Sequence, residues 1–337
     1  MKTVPLSLLA HWAGGELQGE DIVIDAMTND TRSLLPDSLY VALRGERFDG
    51  HDYAYDAAMR GASALLVEHL VDVQLPQVIV ADSVLALARI AASLQRDRNT
   101  KVIAITGSNG KTSVKTLAQS IMQRAGNTYI NPGNRNNEIG LPLAVMDAPE
   151  DAQFAIYEMG AGKPGDIAYL TDIVTPDVAL VNNIGSAHLE RMGSLMGVAE
   201  TKGAIYAALS PAGTAVINAD DAFGEYFAAC SAGKRILRFG LDASADVSAR
   251  DLRSSAEGSQ FAMVTPQGNV SITLPLPGRH NVMNALAAAS LALACGVDLA
   301  TIAEGLASAQ PVRGRQIAHA LAGGVVLVDD TYKANPA

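Results

Sequence analysis

The stretch from residue 102 to residue 126 constrains the fold more than any other. It reads VIAIT, then GSNG, then KTSVKTLAQSIMQRA, and closes on Gly126. The first five residues are an apolar run of strand length. The last fifteen carry apolar residues at helical spacing up to a terminating glycine. A strand that turns through two glycines straight into a helix predicts one βα unit of a parallel sheet. The same turn predicts chemistry. Glycines at 107 and 110 let backbone N–H groups converge on an anion, and the helix start adds partial positive charge. Lys111 can reach the terminal phosphates of a nucleotide, and the Thr112 hydroxyl can hold Mg²⁺. TGSNGKT (106–112) is therefore expected to cradle phosphates with Gly107, Ser108, Asn109, Gly110, Lys111 and Thr112. It departs from the strict eight-residue pattern, which wants glycine where Ile105 stands. A plain strand–turn–helix connection with a capping glycine is the competing reading.

Further apolar runs at 154–157, 178–181 and 214–218 alternate with helical or loop stretches. They extend the pattern to a mostly parallel sheet covered by helices. Residues 246–275 hold strand-like pieces with turn residues and predict an antiparallel insertion. Residues 281–294 predict an Ala/Leu helix, and 325–328 another strand. Upstream, runs at 38–43, 64–67 and 78–80, with a helical stretch closed by Gly61, predict a small α/β domain. Residues 82–98 read as a helix and the polar 96–101 as a linker. At 337 residues the chain is too long for one ordinary core. The expected division is 1–82, a central domain at 83–313, and the beginning of a third α/β domain at 314–337.

Composition narrows the partners. The chain has 25 basic and 35 acidic residues, a net charge of -10. That excludes a broad nucleic-acid surface, which needs clustered Lys and Arg. It leaves room for an anionic small ligand held by a few local donors. Cys230 and Cys295 lack a CxxC or histidine partner at metal spacing and read as small buried residues of a reducing cytoplasm. The start, MKTVPLSLLAHWAGG, resembles a signal peptide only weakly. Pro5, His11 and Trp12 interrupt it, and it reads as an amphipathic helix ending near Gly14. The longest largely apolar run, 285–297, falls short of the ~20 residues of a membrane span.

A nucleotide site needs groups for its metal. Glu158 ends the run FAIY, at the carboxyl end where open α/β sheets take their ligands; a solvated strand-end carboxylate is the alternative. His188 follows a glycine-containing loop in NNIGSAHLE, and its surroundings suit a structural histidine as well as a ligand. Lys202, in AETKGAIY, reads by itself as a solvated helix lysine. In GRHNVMNALAA (278–288), Asn281 and Asn284 sit on an otherwise apolar helix, where a polar residue needs a partner. They suit a base edge or the capping of a turn.

Taken in order, TGSNGKT, NPGNRNNEIGLP (131–142), EMGAGKPGDI (158–167), NIGSAHLE (183–190), the Lys202 segment, GRHNVMNALAA and DDTYKANP (329–336) resemble the Mur ligase family. The resemblance covers essentially the whole chain, and its specificity lies in the ordered set. It implies three domains: one for a UDP-sugar, a central P-loop ATPase, and a third that closes over the site. It implies ATP and two Mg²⁺ sites. Lys111 and Thr112 would meet the phosphates and first metal, with Glu158 on that metal and His188 on a second. Lys202 would be carbamylated, an anion able to bridge to a metal. Asn281 and Asn284 would lie on the adenine side, and Arg315 and Asp330 near the phosphates and ribose. In the first domain NDTRS (29–33) resembles the family's uridine-diphosphate motif, with Thr31 and Arg32 as its contacts, and RGERFDGHDY (44–53) resembles the loop that follows. An arginine paired to a diphosphate is physically apt; a solvated Arg32 is the alternative.

The NNEIG and EMGA forms, with Asn136 and Asn137 on the substrate side, most resemble the member that adds D-alanyl-D-alanine to a UDP-N-acetylmuramoyl-tripeptide. The implied enzyme is a cytoplasmic monomer that forms a peptide bond through an acyl phosphate. Rival readings are a sibling ligase adding another amino acid, a P-loop kinase or ATPase, and a ligand-binding module without turnover. Lys333 stands where the family usually has asparagine. The family also runs on for about a further domain, so this chain is expected to lack most of the third.

Overall fold

A computed structural model of the chain describes residues 1–45, 48–186, 189–312, 317–320, 326–329 and 331. The chain forms two compact units. One comprises residues 1–100, 131–152 and 172–174, and the other residues 101–130, 153–171 and 175–337. The break after Thr100 falls within the polar linker read from the sequence.

In the first unit, β1 (Glu16–Gln18), β2 (Ala26–Thr28), β3 (Ser38–Val41), β4 (Ala64–Val67) and β5 (Gln77–Ile79) form one sheet in the order β1-β5-β4-β3-β2. Four strands are parallel and β1 closes one edge antiparallel. β3 and β4 are buried along their whole length, as strands covered on both faces must be. A helix over Leu6–Ala13 ends at Gly14, whose φ of 72° is the left-handed region that glycine adopts at little steric cost. The helix Ser83–Arg96 is capped by Asp82, whose side chain accepts the Leu85 N–H at 2.8 Å. It packs with the first helix and with Gly140–Asp147, inside this unit.

In the second unit, β6 (Lys101–Thr106), β7 (Thr128–Ile130), β8 (Phe154–Glu158), β9 (Val178–Val181), β10 (Thr214–Asn218) and β11 (Arg235–Phe239) build a six-stranded parallel sheet in the order β11-β10-β9-β6-β8-β7. The chain leaves β6 toward one edge, returns, and then builds outward on the other side. β6 therefore sits at the reversal of strand order, where such sheets open a crevice at their carboxyl edge. Pairing of Glu158 with Ile105 and of Val181 with Thr106 puts three strand ends side by side. Ile103, Ile105, Val178, Leu180 and Val216 are essentially inaccessible. Each such side chain contributes about 1.5–3 kcal/mol of burial. The helix Arg279–Ala294 packs on this layer. The expected antiparallel insertion is a three-stranded sheet of Ser248–Ser254, Ser259–Thr265 and Gly268–Leu274. Near the end, Ile317–Ala320 pairs antiparallel with Val326–Asp329. Among the described residues, no helix is long and apolar enough to cross a membrane.

Candidate functional site

The turn between β6 and the helix Lys111–Ala125 is braced from the neighbouring strand ends. Thr106 Oγ1 donates to the Met159 carbonyl at 3.0 Å. The Ser108 N–H donates to the Asn183 carbonyl at 2.9 Å, and the Asn109 N–H to Asn183 Oδ1 at 2.8 Å. The Gly185 N–H donates to Ser108 Oγ at 2.9 Å. These bonds commit the Ser108 and Asn109 amides to the protein. The start of the following helix adds its partial positive charge at this turn. Gly110 leads into that helix with φ 76°, and a Cβ there would stand 2.5 Å from Asn182 Nδ2 and 2.7 Å from Asn284 Oδ1. Both its conformation and its surroundings require glycine.

Lys111 folds back over the turn, its Nζ donating to Gly107 O at 2.7 Å and Ser108 O at 3.4 Å. Its charge thus lies at the turn, on the carboxyl edge. Thr112 Oγ1 donates to Glu158 Oε2 at 2.9 Å. Lys115 Nζ lies 3.4 Å from the same oxygen, and both side chains of this ion pair are almost wholly buried. The solvated alternative for Glu158 falls with its burial. A carboxylate and a hydroxyl in contact are the oxygen ligands a hard divalent cation takes, so the residues present fit Mg²⁺ beside a polyphosphate. Among the described residues no three His, Cys, Asp or Glu side chains gather into a metal cluster.

Other residues fall in place differently. Lys202 is 2% exposed on the helix Leu195–Ala207, which excludes a solvated surface lysine. Asn284 is buried and accepts from Asn182 Nδ2 at 3.2 Å, while that same amide donates to Asn109 O at 3.0 Å. Asn281 donates to Pro277 O at 2.7 Å and caps a turn. Asn137 accepts the Gly140 N–H at 2.8 Å at the start of a helix in the first unit. His188, Arg315, Asp330 and Lys333 lie outside the described residues. Sequence reasoning missed Lys115, although it stands one helical turn beyond Lys111 on the same face. It also missed the doublet Asn182–Asn183, visible only as two polar residues ending an apolar run.

In the first unit, a cavity of about 500 Å³ is lined by Asn29, Asp30, Thr31, Arg32, Tyr40, Leu43, Phe48, Gly50 and Tyr53. That volume suits a small-molecule ligand. Asp30 grips Arg32 as a fork, from Nε at 2.8 Å and Nη2 at 2.7 Å, and these bonds hold its carboxyl down at about 2. The guanidinium is thereby aimed while most of its surface stays exposed. Tyr40 donates to the Gly50 carbonyl at 3.0 Å, and burial pushes its phenol up to about 12, so it remains a neutral donor. Thr31 and Arg32 are thus together at one cavity, whereas Asn136 and Asn137 are not among its lining.

Residues 105–292 match the Mur ligase middle domain, and residues 23–109 match the Mur ligase family catalytic domain. The chain is 44% identical to the UDP-N-acetylmuramoyl-tripeptide–D-alanyl-D-alanine ligase of Escherichia coli, over 99% of this chain and 74% of that protein. It is 39% identical to the same-named ligase of Haemophilus influenzae, over 94% of this chain and 70% of that one. Among solved structures, MurF of Acinetobacter baumannii superposes with a TM-score of 0.95 at 35% identity, covering 99% of this chain and 75% of that one. MurF of Thermotoga maritima in complex with ADP gives 0.81 at 29% identity, covering 92% and 71%.

Proposed function

The chain belongs to the Mur ligase family, and from that premise we propose that it is the ATP-dependent ligase that joins D-alanyl-D-alanine to a UDP-N-acetylmuramoyl-tripeptide in peptidoglycan precursor synthesis. One observation carries the chemistry: Thr112 and the buried Glu158 are in contact beside Lys111, at the carboxyl edge of β6.

The reaction has two steps. An oxygen of the tripeptide's terminal carboxylate attacks the γ-phosphorus of ATP; the bond to the bridging oxygen breaks, ADP leaves, and an acyl phosphate forms. The amine nitrogen of D-alanyl-D-alanine then attacks the acyl carbon. Inorganic phosphate leaves and the nitrogen gives up a proton. Both partners of the first step are anionic, so repulsion is the main obstacle, and positioned cations remove it. Lys111 supplies one positive charge and the helix start a partial one. Mg²⁺, held by Thr112 and Glu158, would neutralise phosphate charge and polarise the γ-phosphoryl group. A second metal on His188 and Lys202 belongs to the same proposal.

Burial of Lys202 supports the carbamate. Addition of its neutral amine to CO₂, with loss of a proton, would give an anion suited to a cation at this buried position. Labelled bicarbonate should give a carbamate carbon resonance that disappears in Lys202→Ala; an identical spectrum for the two proteins would exclude the modification.

In the first unit, the Arg32 cavity is assigned to the uridine-diphosphate end of the substrate, a guanidinium fork being suited to diphosphate. Cys230 and Cys295 are unpaired, which fits a reducing cytoplasm. The functional enzyme is proposed to be a monomer. The test is ADP release with UDP-N-acetylmuramoyl-tripeptide, run on this chain and on a version carried to the length of its relatives. ADP should form with D-alanyl-D-alanine and not with glutamate or a diamino acid. Release without any amine would mark a kinase or ATPase instead. Ligand binding without ADP from either version would mark a binding module.

A further inference from the structure

The segment 48–53 forms one wall of the Arg32 cavity through Phe48, Gly50 and Tyr53. It is anchored by a buried histidine that no part of the proposed chemistry uses. His51 has a side chain only 4% exposed. Its Nε2 accepts the backbone N–H of Glu68 at 2.8 Å. A ring nitrogen that accepts carries no proton, so the ring proton sits on Nδ1, 2.5 Å from Asp49 Oδ1, and is donated there. The tautomer is thus fixed by two bonds at opposite edges of one ring. The ring also stacks on His69, with centroids 4.5 Å apart.

The anchor points are themselves held. Asp49 accepts the His51 backbone N–H at 3.0 Å and Arg44 Nε at 3.0 Å. The bonds from His51, backbone first and ring second, hold the Asp49 carboxyl well below the usual range. Glu68 follows β4 and accepts both the N–H and the hydroxyl of Ser83 through Oε1, at 3.1 and 3.0 Å. Gly50 donates to Leu43 O at 2.8 Å and approaches that residue so closely that a Cβ would stand 2.6 Å from the Leu43 nitrogen. The imidazole therefore bridges this wall to the backbone at the end of β4, beside the Arg44 guanidinium, which bonds Asp49 and lies 3.7 Å from Glu68 Oε2.

We infer that His51 is a positioning residue for the nucleoside-diphosphate end of the substrate: its Nδ1–H tautomer clamps the 48–53 wall against the backbone of Glu68, and so sets the width of the cavity opposite Arg32. This rests on the assignment of that cavity to the uridine diphosphate. It adds a role for a residue that touches no ligand and acts through Gly50 and Tyr53.

Calorimetric binding of UDP-N-acetylmuramoyl-tripeptide, with ATP titrated separately, tests it. Wild type should bind the UDP ligand, and Arg32→Ala should weaken it at least tenfold. If wild type does not bind, or Arg32→Ala binds like wild type, the cavity assignment fails and this inference with it. With that assignment standing, His51→Ala should weaken the UDP ligand about tenfold and leave ATP binding within twofold. His51→Gln, which keeps an acceptor for the Glu68 amide, should recover most of the loss. Unchanged UDP-ligand affinity in His51→Ala overturns the inference. So does a parallel loss of ATP binding in both variants, which would mark a general structural role.

Discussion

Replacing Lys111 with alanine should reduce ADP formation at least about a thousandfold, the scale on which positioned charges act in phosphoryl transfer. Lys111 Nζ is held over the turn by the Gly107 and Ser108 carbonyls. Those are weak claims on it: both acceptors are neutral, and γ-phosphate oxygens offer a charged alternative at the same place. The loss should appear in the transfer step itself, with thermal stability shifted little, because the bonds to the Gly107 and Ser108 carbonyls are part-buried and made to neutral acceptors. Steady-state release of ADP and a melting curve on the same preparation separate the two effects. Near-normal turnover in Lys111→Ala would remove the phosphate-loop assignment, and the ligase reading would fall with it.

The second large effect is expected at Lys115. Replacing it with methionine keeps the bulk of the side chain and removes the charge 3.4 Å from Glu158. Breaking a buried ion pair from one side costs about 3–5 kcal/mol, since a charge that was matched inside the protein no longer is. In a domain of this size that corresponds to a fall in melting temperature of about 10 °C. Adding Glu158→Leu in the same chain should restore much of the stability, because a buried pair exchanged for apolar volume is close to neutral. It should not restore activity, because the proposed metal ligand is gone. A double-mutant cycle with a coupling under about 0.5 kcal/mol would show that the pair is energetically idle.

Much of this was legible in advance, for identifiable reasons. The unit from Lys101 to Ala125 could be read because a buried strand, two glycines and a periodic helix are each local signals, and they agree. Val178–Val181 and Thr214–Asn218 could be read because strands covered on both faces carry near-continuous apolar runs, here VALV and the AVI within TAVIN. What escaped reading depends on partners distant in sequence. Thr128–Ile130 is three half-buried residues at a sheet edge, too short for a pattern. Residues 131–152 join the first unit through contacts with Ser83–Arg96 that no local signal announces. Asn182 and Asn183 matter only because the register of β9 against β6 sets them beside the turn. Lys202 was misjudged by its own neighbourhood in the sequence, and only its burial distinguishes it from a surface lysine.

The order of strands also bears on how this protein is made. β6 leaves the ribosome first, yet the strands that flank it, β8 and β9, are synthesised far later. A nascent chain therefore carries its glycine turn for some time with nothing to hold it in shape, since such non-local pairings form late. The turn gains its brace from Asn183, through the Ser108 and Asn109 N–H groups, only once that residue has emerged and docked. Nucleotide affinity in this protein should then behave as a signal that its middle has finished folding, and ATP in the surrounding medium should favour that last step by mass action.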